Sequence, residues 1–178
     1  MMLRNGRRFN RAIIMNNYRN FAALSESNVS LASVNPSDVH DSTPKAVGAL
    51  MAAMSTAKEP VSNGSAICDE IDEYFRKKFR QVSFEDGKQI MTGLGFNMGN
   101  ENGDHLPKKI EGLDDKFWVW ETLEEATRPQ VDELSKEEIL YFYSAWALQT
   151  KGSDDLMDLL LERFMYFYAE APPFMGSS

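Results

Sequence analysis

Apolar side chains recur at intervals of three and four residues over most of this chain, which is the spacing of one side of an α-helix. The clearest case is the segment 65–80, where one side carries Ile67, Ile71, Tyr74, Phe75 and Phe79. No convincing run of alternating apolar and polar residues predicts a strand. The pattern therefore predicts an all-α protein.

Capping signals give the bounds of six predicted helices. Thr43 precedes Pro44 and opens the first, while Ser83 with Asp86 resembles a capping box at the start of the third. Ser135 with Glu138 forms a full capping box. The predicted helices cover about 43–57, 65–80, a segment starting at 83, 114–127, a segment from 135 that stops at Gly152, and 153–171.

The third and fifth predicted helices match at a constant offset of 52 residues. Serine aligns with serine, acid with acid, and the stretch Gly93-Leu94-Gly95-Phe96-Asn97 aligns with Ala145-Trp146-Ala147-Leu148-Gln149. Small residues at alternate positions let a neighbouring helix come close. We interpret the match as an internal repeat, which predicts about three stacked helical hairpins over residues 43–171.

The glycine-rich stretch 92–104 does not predict a nucleotide site. Its glycines miss the dinucleotide-binding spacing, and they fall at the end of a predicted helix, where the dipole repels phosphate. The two histidines, His40 and His105, lie in predicted leader and loop, away from any patterned serine, cysteine or aspartate partner. We therefore predict no enzyme activity, no cofactor and no metal site.

The N-terminal residues differ in composition from the rest of the chain. Residues 1–21 hold five arginines and no acidic residue, as mitochondrial presequences do, and the Arg19-Asn20-Phe21 segment favours cleavage after Phe21. A basic disordered tail is the alternative. Residues 22–42 are predicted to be a flexible or partner-bound leader, and residues 172–178 a tail. This predicts a location in the mitochondrial matrix, with a peripheral position at the inner membrane left open.

The charge balance argues against general nucleic-acid binding. The chain has 19 basic and 27 acidic residues, and loss of the five presequence arginines would change its net charge from -8 to -13. Binding to RNA or DNA draws most of its affinity from lysine and arginine. The only dense basic patch is the segment 76–80. No apolar run approaches the length that crosses a bilayer.

Apolar side chains near the C-terminus exceed what one side of a helix needs. In the sixth predicted helix they occupy all but one acidic stripe. Such a helix is either enclosed in its own fold or covered by another protein. The candidate partner-interface residues are Phe164, Phe167, Met157, Leu161, Met165 and Tyr168. A purely internal core is the alternative.

Helical hairpins behind a mitochondrial presequence resemble the organellar pentatricopeptide-like helical-repeat proteins, over roughly residues 43–170. The serine-acid helix openings and the small-large-small stretch Ala145-Trp146-Ala147-Leu148 carry the resemblance. Size, acidity and presequence together resemble the eighteen-kilodalton subunits of euglenozoan mitochondrial ATP synthase. That resemblance implies a noncatalytic subunit bound to the ATP synthase alpha subunit on the catalytic head. An organellar RNA-binding repeat protein is the alternative function.

Overall fold

The computed structural model describes residues 31–95 and 106–170, and this part of the chain is all-α, as predicted. It contains six α-helices and three short 3₁₀ helices, and no strand. The α-helices are α1 (Pro44–Thr56), α2 (Gly64–Lys77), α3 (Phe84–Leu94), α4 (Trp118–Thr127), α5 (Lys136–Gln149) and α6 (Asp154–Glu170). The 3₁₀ helices are Leu31–Ser33, Pro36–Asp41 and Arg128–Glu133.

Four of the predicted helix starts are confirmed by side-chain caps. The side chains of Thr43, Ser83 and Ser135 each accept a hydrogen bond from a backbone N–H of the first turn. Ser153 does the same for the N–H of Leu156. Both hydrogen bonds of the Ser135–Glu138 capping box are present. These helix starts are therefore encoded locally.

Two helix starts differ from the prediction. The second helix begins at Gly64 rather than after Ser65, and its N-cap residue Asn63 donates its side-chain N–H to the carbonyl of Val34 instead of capping the helix. The fourth begins at Trp118 rather than near Asp114. Asp72 of α2 accepts a hydrogen bond from the backbone N–H of Val119 (3.0 Å), so the α4 cap comes from another helix.

Alternate helices pack against one another along the chain. Helix α3 contacts both α1 and α5, α2 contacts α4, and α5 contacts α6. Three hydrogen bonds join α2 to α4 and the residues before it at a constant separation of 47 residues: Asp69–Lys116, Asp72–Val119 and Phe75–Thr122. A constant separation means that the two segments run in the same direction. That the helices stack as about three repeated hairpins remains a prediction.

Glycines permit the close approach of α3 to its two neighbours. A Cβ atom on Gly48 of α1 would lie 2.5 Å from Cγ1 of Ile90 in α3. On Gly95, which follows α3, it would overlap the carbonyl of Tyr141 in α5. Both separations are shorter than a van der Waals contact. Helix α3 could therefore not lie this close to α1 and α5 if Gly48 or Gly95 carried a side chain.

One apolar core joins all six helices. Its largest fully buried side chains include Trp146, Tyr74, Phe75 and Phe142. The indole rings of Trp120 and Trp146 meet edge to face at a centroid distance of 6.0 Å. The buried side chain of Gln149 holds the segment before α4, because it accepts from the backbone N–H of Ile110 and donates to the carbonyl of Lys108.

The second half of the expected leader belongs to the folded unit. Val34 and Val39 lie in the core, and the 3₁₀ helix Pro36–Asp41 packs against α2. The hydroxyl of Tyr74 donates to the carbonyl of Ser42 (3.1 Å). The folded unit was predicted to begin at residue 43, because residues 22–42 show no helical period. In the structure, two valines of this segment are nevertheless buried in the core. Residues 1–30 and 171–178 lie outside the described part.

The glycine contacts predict opposite effects for two identical substitutions within helices. Gly48→Ala should lower the free energy of unfolding by ~1–2 kcal/mol, because the clash with Ile90 outweighs the better helix propensity. Gly93→Ala should raise the free energy of unfolding by ~0.5–1 kcal/mol, because alanine favours the helix over the unfolded chain. The added methyl group would fit, since it would lie 3.5 Å from Cβ of Ala52. Urea unfolding followed by circular dichroism measures both. If the two variants changed the free energy of unfolding by the same amount, the close approach of α1 and α3 at Gly48 would be contradicted.

Candidate functional site

The described residues offer little for catalysis. In residues 31–95 and 106–170, no three His, Cys, Asp or Glu side chains are placed to hold a metal ion. His40, in the predicted leader, is half-exposed, and its Nε2 contacts the carboxylate of Glu70 in α2. This pair fastens the 3₁₀ helix Pro36–Asp41 to α2. His105 lies outside the described residues.

The single cysteine is buried in the core and is unsuited to act as a nucleophile. Cys68 lies on α2, and its Sγ is 3.5 Å from the carbonyl oxygen of Glu111. Burial raises the pKa of the thiol to about 12, so almost none of it is thiolate at neutral pH. Cys68 is therefore a small buried core residue.

A cavity of about 310 Å³ lies where the end of α1 meets the start of α2 and residues 108–112. Its lining includes Lys108 and Lys109 but also Glu59 and Glu111. Charges of both signs give the cavity no preference for an anion or a cation. It therefore assigns no ligand.

The basic segment 76–80 is partly neutralised. Arg76 forms two hydrogen bonds to the carboxylate of Glu73, and Nζ of Lys77 lies 3.6 Å from the same group. The guanidinium of Arg80 lies 5.2 Å from the ring centre of Phe79. Phe79 in turn packs edge to face on Trp118. One carboxylate offsets one of the four cations of this segment, so the corner stays locally basic and carries an aromatic cluster beside Arg80.

Helix α6 divides its apolar residues between the core and the surface. Leu156 and Leu160 are fully buried, while Met157, Phe164 and Phe167 are half-buried and pack against the core. Three of the six candidate interface residues therefore contribute substantially to the chain's own fold.

The other three candidates are exposed and lie together. Leu161 is 43% exposed, Met165 62% and Tyr168 57%. Their spacing of four and then three residues places them on one stripe of α6. The ring of Tyr168 packs against Phe164 and lies below the ammonium of Lys136 at the start of α5, at a distance of 5.2 Å. The stripe therefore borders α5.

Helix α5 carries a matching exposed stripe. Leu140 is 41% exposed and Tyr143 36%, and Ala147 is also exposed. They are spaced by three and four residues, so they share one side of α5. We call the six exposed residues of the two stripes the end face: Leu140, Tyr143, Ala147, Leu161, Met165 and Tyr168. The α5 half was not predicted as interface, although its spacing of three and four residues is visible in the sequence.

Acidic side chains border the end face. Asp154, Asp158 and Glu162 are exposed on α6, and helix spacing places Asp158 and Glu162 beside Leu161 and Met165. Lys136, over the ring of Tyr168, is the cation that the structure places at this surface. The end face is thus an apolar surface with an acidic border along α6.

No described helix is long and apolar enough to span a membrane. Comparisons with protein-family models, with curated proteins and with solved structures find no match to this chain. The resemblance to pentatricopeptide-like proteins and to an ATP synthase subunit therefore remains a prediction.

The buried thiol predicts slow alkylation. At pH 8, iodoacetamide should modify Cys68 at least ~100-fold more slowly in the folded protein than in guanidinium chloride, because the folded thiol is buried and its pKa is raised. Mass spectrometry of timed samples measures the rate. Because the folded pKa lies above the unfolded one, this group should also reduce stability as pH rises from about 9 towards 12. Fast alkylation of the folded chain would mean that Cys68 is accessible.

Proposed function

We propose that this protein is a noncatalytic structural subunit of a mitochondrial complex, with ATP synthase as the preferred complex and its alpha subunit as the docking partner. The end face carries this proposal. Six residues, five of them large and apolar, are exposed on stripes of the last two helices, and Lys136 of α5 over the ring of Tyr168 of α6 links the two stripes. Contiguous apolar surface of this kind marks sites where another protein binds.

The order of helix contacts supports a helical-repeat scaffold. In stacked repeats each unit contacts only its neighbours, and a terminal repeat needs a polar outer face to be soluble alone. Here α3 lies between α1 and α5, and α5 is the last helix of that series. Its outer side is apolar rather than polar, which favours coverage by a partner.

The mitochondrial part of the proposal is supported by composition. Residues 1–21 carry five arginines and no acid, and they lie outside the described residues. The narrower choice of ATP synthase is supported by the resemblance in size, acidity and presequence alone.

Organellar RNA binding is the second candidate function, and one surface feature favours it. Phe117 is exposed, and its ring packs edge to face on Trp118 beside Phe79 and Arg80. Aromatic rings beside an arginine can stack nucleobases. However, Glu73 offsets one of the neighbouring positive charges, and the chain's net charge of -8 opposes phosphate binding.

The experiment that tests the proposal is purification of the native protein from mitochondria, with and without ribonuclease, followed by identification of what copurifies. Comigration with ATP synthase that survives ribonuclease is the expected result. A partner lost after ribonuclease treatment would favour the RNA-binding candidate. Purification as a lone chain would exclude both.

The end face predicts a clear difference between two surface substitutions. The double variant Leu161→Glu, Met165→Glu should lose the complex, a loss of at least ~2 kcal/mol in binding free energy, because charges replace an apolar contact. Leu159→Glu should retain it, since Leu159 is 37% exposed on the other flank of α6. Native gel electrophoresis of mitochondrial extracts measures assembly.

Alanine variants of the half-buried rings should behave differently. Phe164→Ala and Phe167→Ala should lower the melting temperature of the isolated chain, because both rings pack against its core. Circular dichroism of the free protein measures this. If both left melting unchanged but abolished assembly, the rings would be partner anchors instead.

A further inference from the structure

The internal repeat allows the two ends of the helix series to be compared position by position. At the offset of 52 residues, both α3 and α5 follow a capping serine, Ser83 and Ser135. The core positions of the two helices correspond, since Ile90 aligns with Phe142 and Leu94 with Trp146, and all four side chains are buried. The register that the sequence predicts therefore holds for these core positions, although buried Ala145 aligns with exposed Gly93.

Three aligned positions on one side of the helices are more buried in the α3 repeat than in α5. Lys88, Met91 and Gly95 of the α3 repeat are buried or half-buried. Their counterparts in α5 are Leu140, Tyr143 and Ala147, and all three are exposed. These counterparts are the α5 half of the end face.

The reason for the burial at the α3 positions is the next helix. Gly95 abuts the backbone of Tyr141 in α5. Nζ of Lys88 lies 3.4 Å from the carboxylate of Glu138, at the start of α5. The backbone N–H of Ser135 and the ammonium of Lys88 both hold the pKa of Glu138 below its ordinary value. This side of the α3 repeat is therefore the side that receives α5.

We infer that the end face is the open end of the helix series and that it receives one further α-helix from the partner protein, an amphipathic helix whose apolar side is flanked by lysine or arginine. The inference rests on the proposed function, which supplies the partner. Leu140, Tyr143 and Ala147 take the positions from which α3 receives α5. Leu161, Met165 and Tyr168 extend that surface across α6.

The side chains at these positions define the chemistry of the incoming helix. Where α3 offers Lys88 to a carboxylate, α5 offers Leu140, so the incoming helix meets an apolar side chain instead of a cation. Ala147 replaces Gly95 at the point of closest approach, and a small side chain there also permits a helix to come near. The incoming helix should therefore present an apolar stripe to α5.

The acidic border selects the flanks of the incoming helix. Asp158 and Glu162 lie beside the apolar stripe of α6, and Asp154 precedes them on the same helix. Carboxylates at the edge of an interface favour a positively charged partner and disfavour a negatively charged one. A second copy of this chain would bring the same carboxylates towards each other, which is unfavourable.

The experiment uses the full chain and two synthetic helical peptides of about 18 residues with hydrocarbon staples. Both peptides carry the same leucine stripe, but one has lysine flanks and the other glutamate flanks. Fluorescence anisotropy of labelled peptide measures binding. The lysine peptide should bind at least ~10-fold more tightly than the glutamate peptide, and the difference should shrink at high salt.

Single variants test whether binding uses both halves of the end face. Leu140→Glu on α5 and Leu161→Glu on α6 should each weaken binding of the lysine peptide at least ~10-fold. Leu159→Glu is the matched control and should leave it unchanged. Circular dichroism of each variant establishes that the fold is retained, and a variant that unfolds is replaced by Leu140→Ser or Leu161→Ser.

Several results would overturn the inference. The first is equal binding of the two peptides, or binding unaffected by Leu140→Glu and Leu161→Glu. The second is a dimer of the pure chain that Leu140→Glu dissociates, which makes a second copy the occupant. The third is peptide binding that appears only after removal of residues 171–178, which makes the chain's own tail the occupant.

The peptide experiment is separate from the purification that tests the proposed function. If the chain copurifies with a complex but neither peptide binds, the inference fails and the proposed function stands. If the lysine peptide binds but no complex copurifies, the surface is supported and the proposed function fails.

Discussion

The close packing of α3 between α1 and α5 is the constraint on which the rest of the structure depends. A helix covered on two sides needs short side chains where its neighbours cross it, and Gly48 and Gly95 meet that need. Because these contacts bring the three helices into one series, α2 and α4 are left to form a second line of contacts, fixed by Asp72 and Thr122. The core then fills the space between the two lines.

Local signals predicted most of this fold, and tertiary contacts account for what was missed. The Ser135–Glu138 capping box was predictable because all its atoms lie within four residues. The start of α4 was not, because its cap is Asp72, a residue of another helix. Val39 shows the same limit, since a single valine without helical neighbours gives no periodic signal although it is fully buried.

The candidate surface was predictable in position but not in detail. Helical spacing showed that α6 is apolar around most of its circumference, but it could not tell which part the chain covers itself. Phe164 faces the core and Met165 faces away from it, although they are adjacent in sequence. For α5 the 52-residue register with α3 becomes informative only together with the structure, because Ala147 aligns with Gly95, which abuts the backbone of Tyr141 in α5.

The proposed docking of a partner helix would also explain why an acidic chain exposes apolar side chains on its last two helices. A terminal repeat that is exposed in the final assembly gains solubility from polar residues on its outer side. Here the outer side of α5 is apolar while carboxylates such as Asp158 and Glu162 lie on the neighbouring helix. In the proposed assembly the carboxylates would oppose pairing of two copies, whereas the apolar stripes would remain available to a helix of opposite charge. The same acidic border would therefore disfavour self-association and select the partner helix.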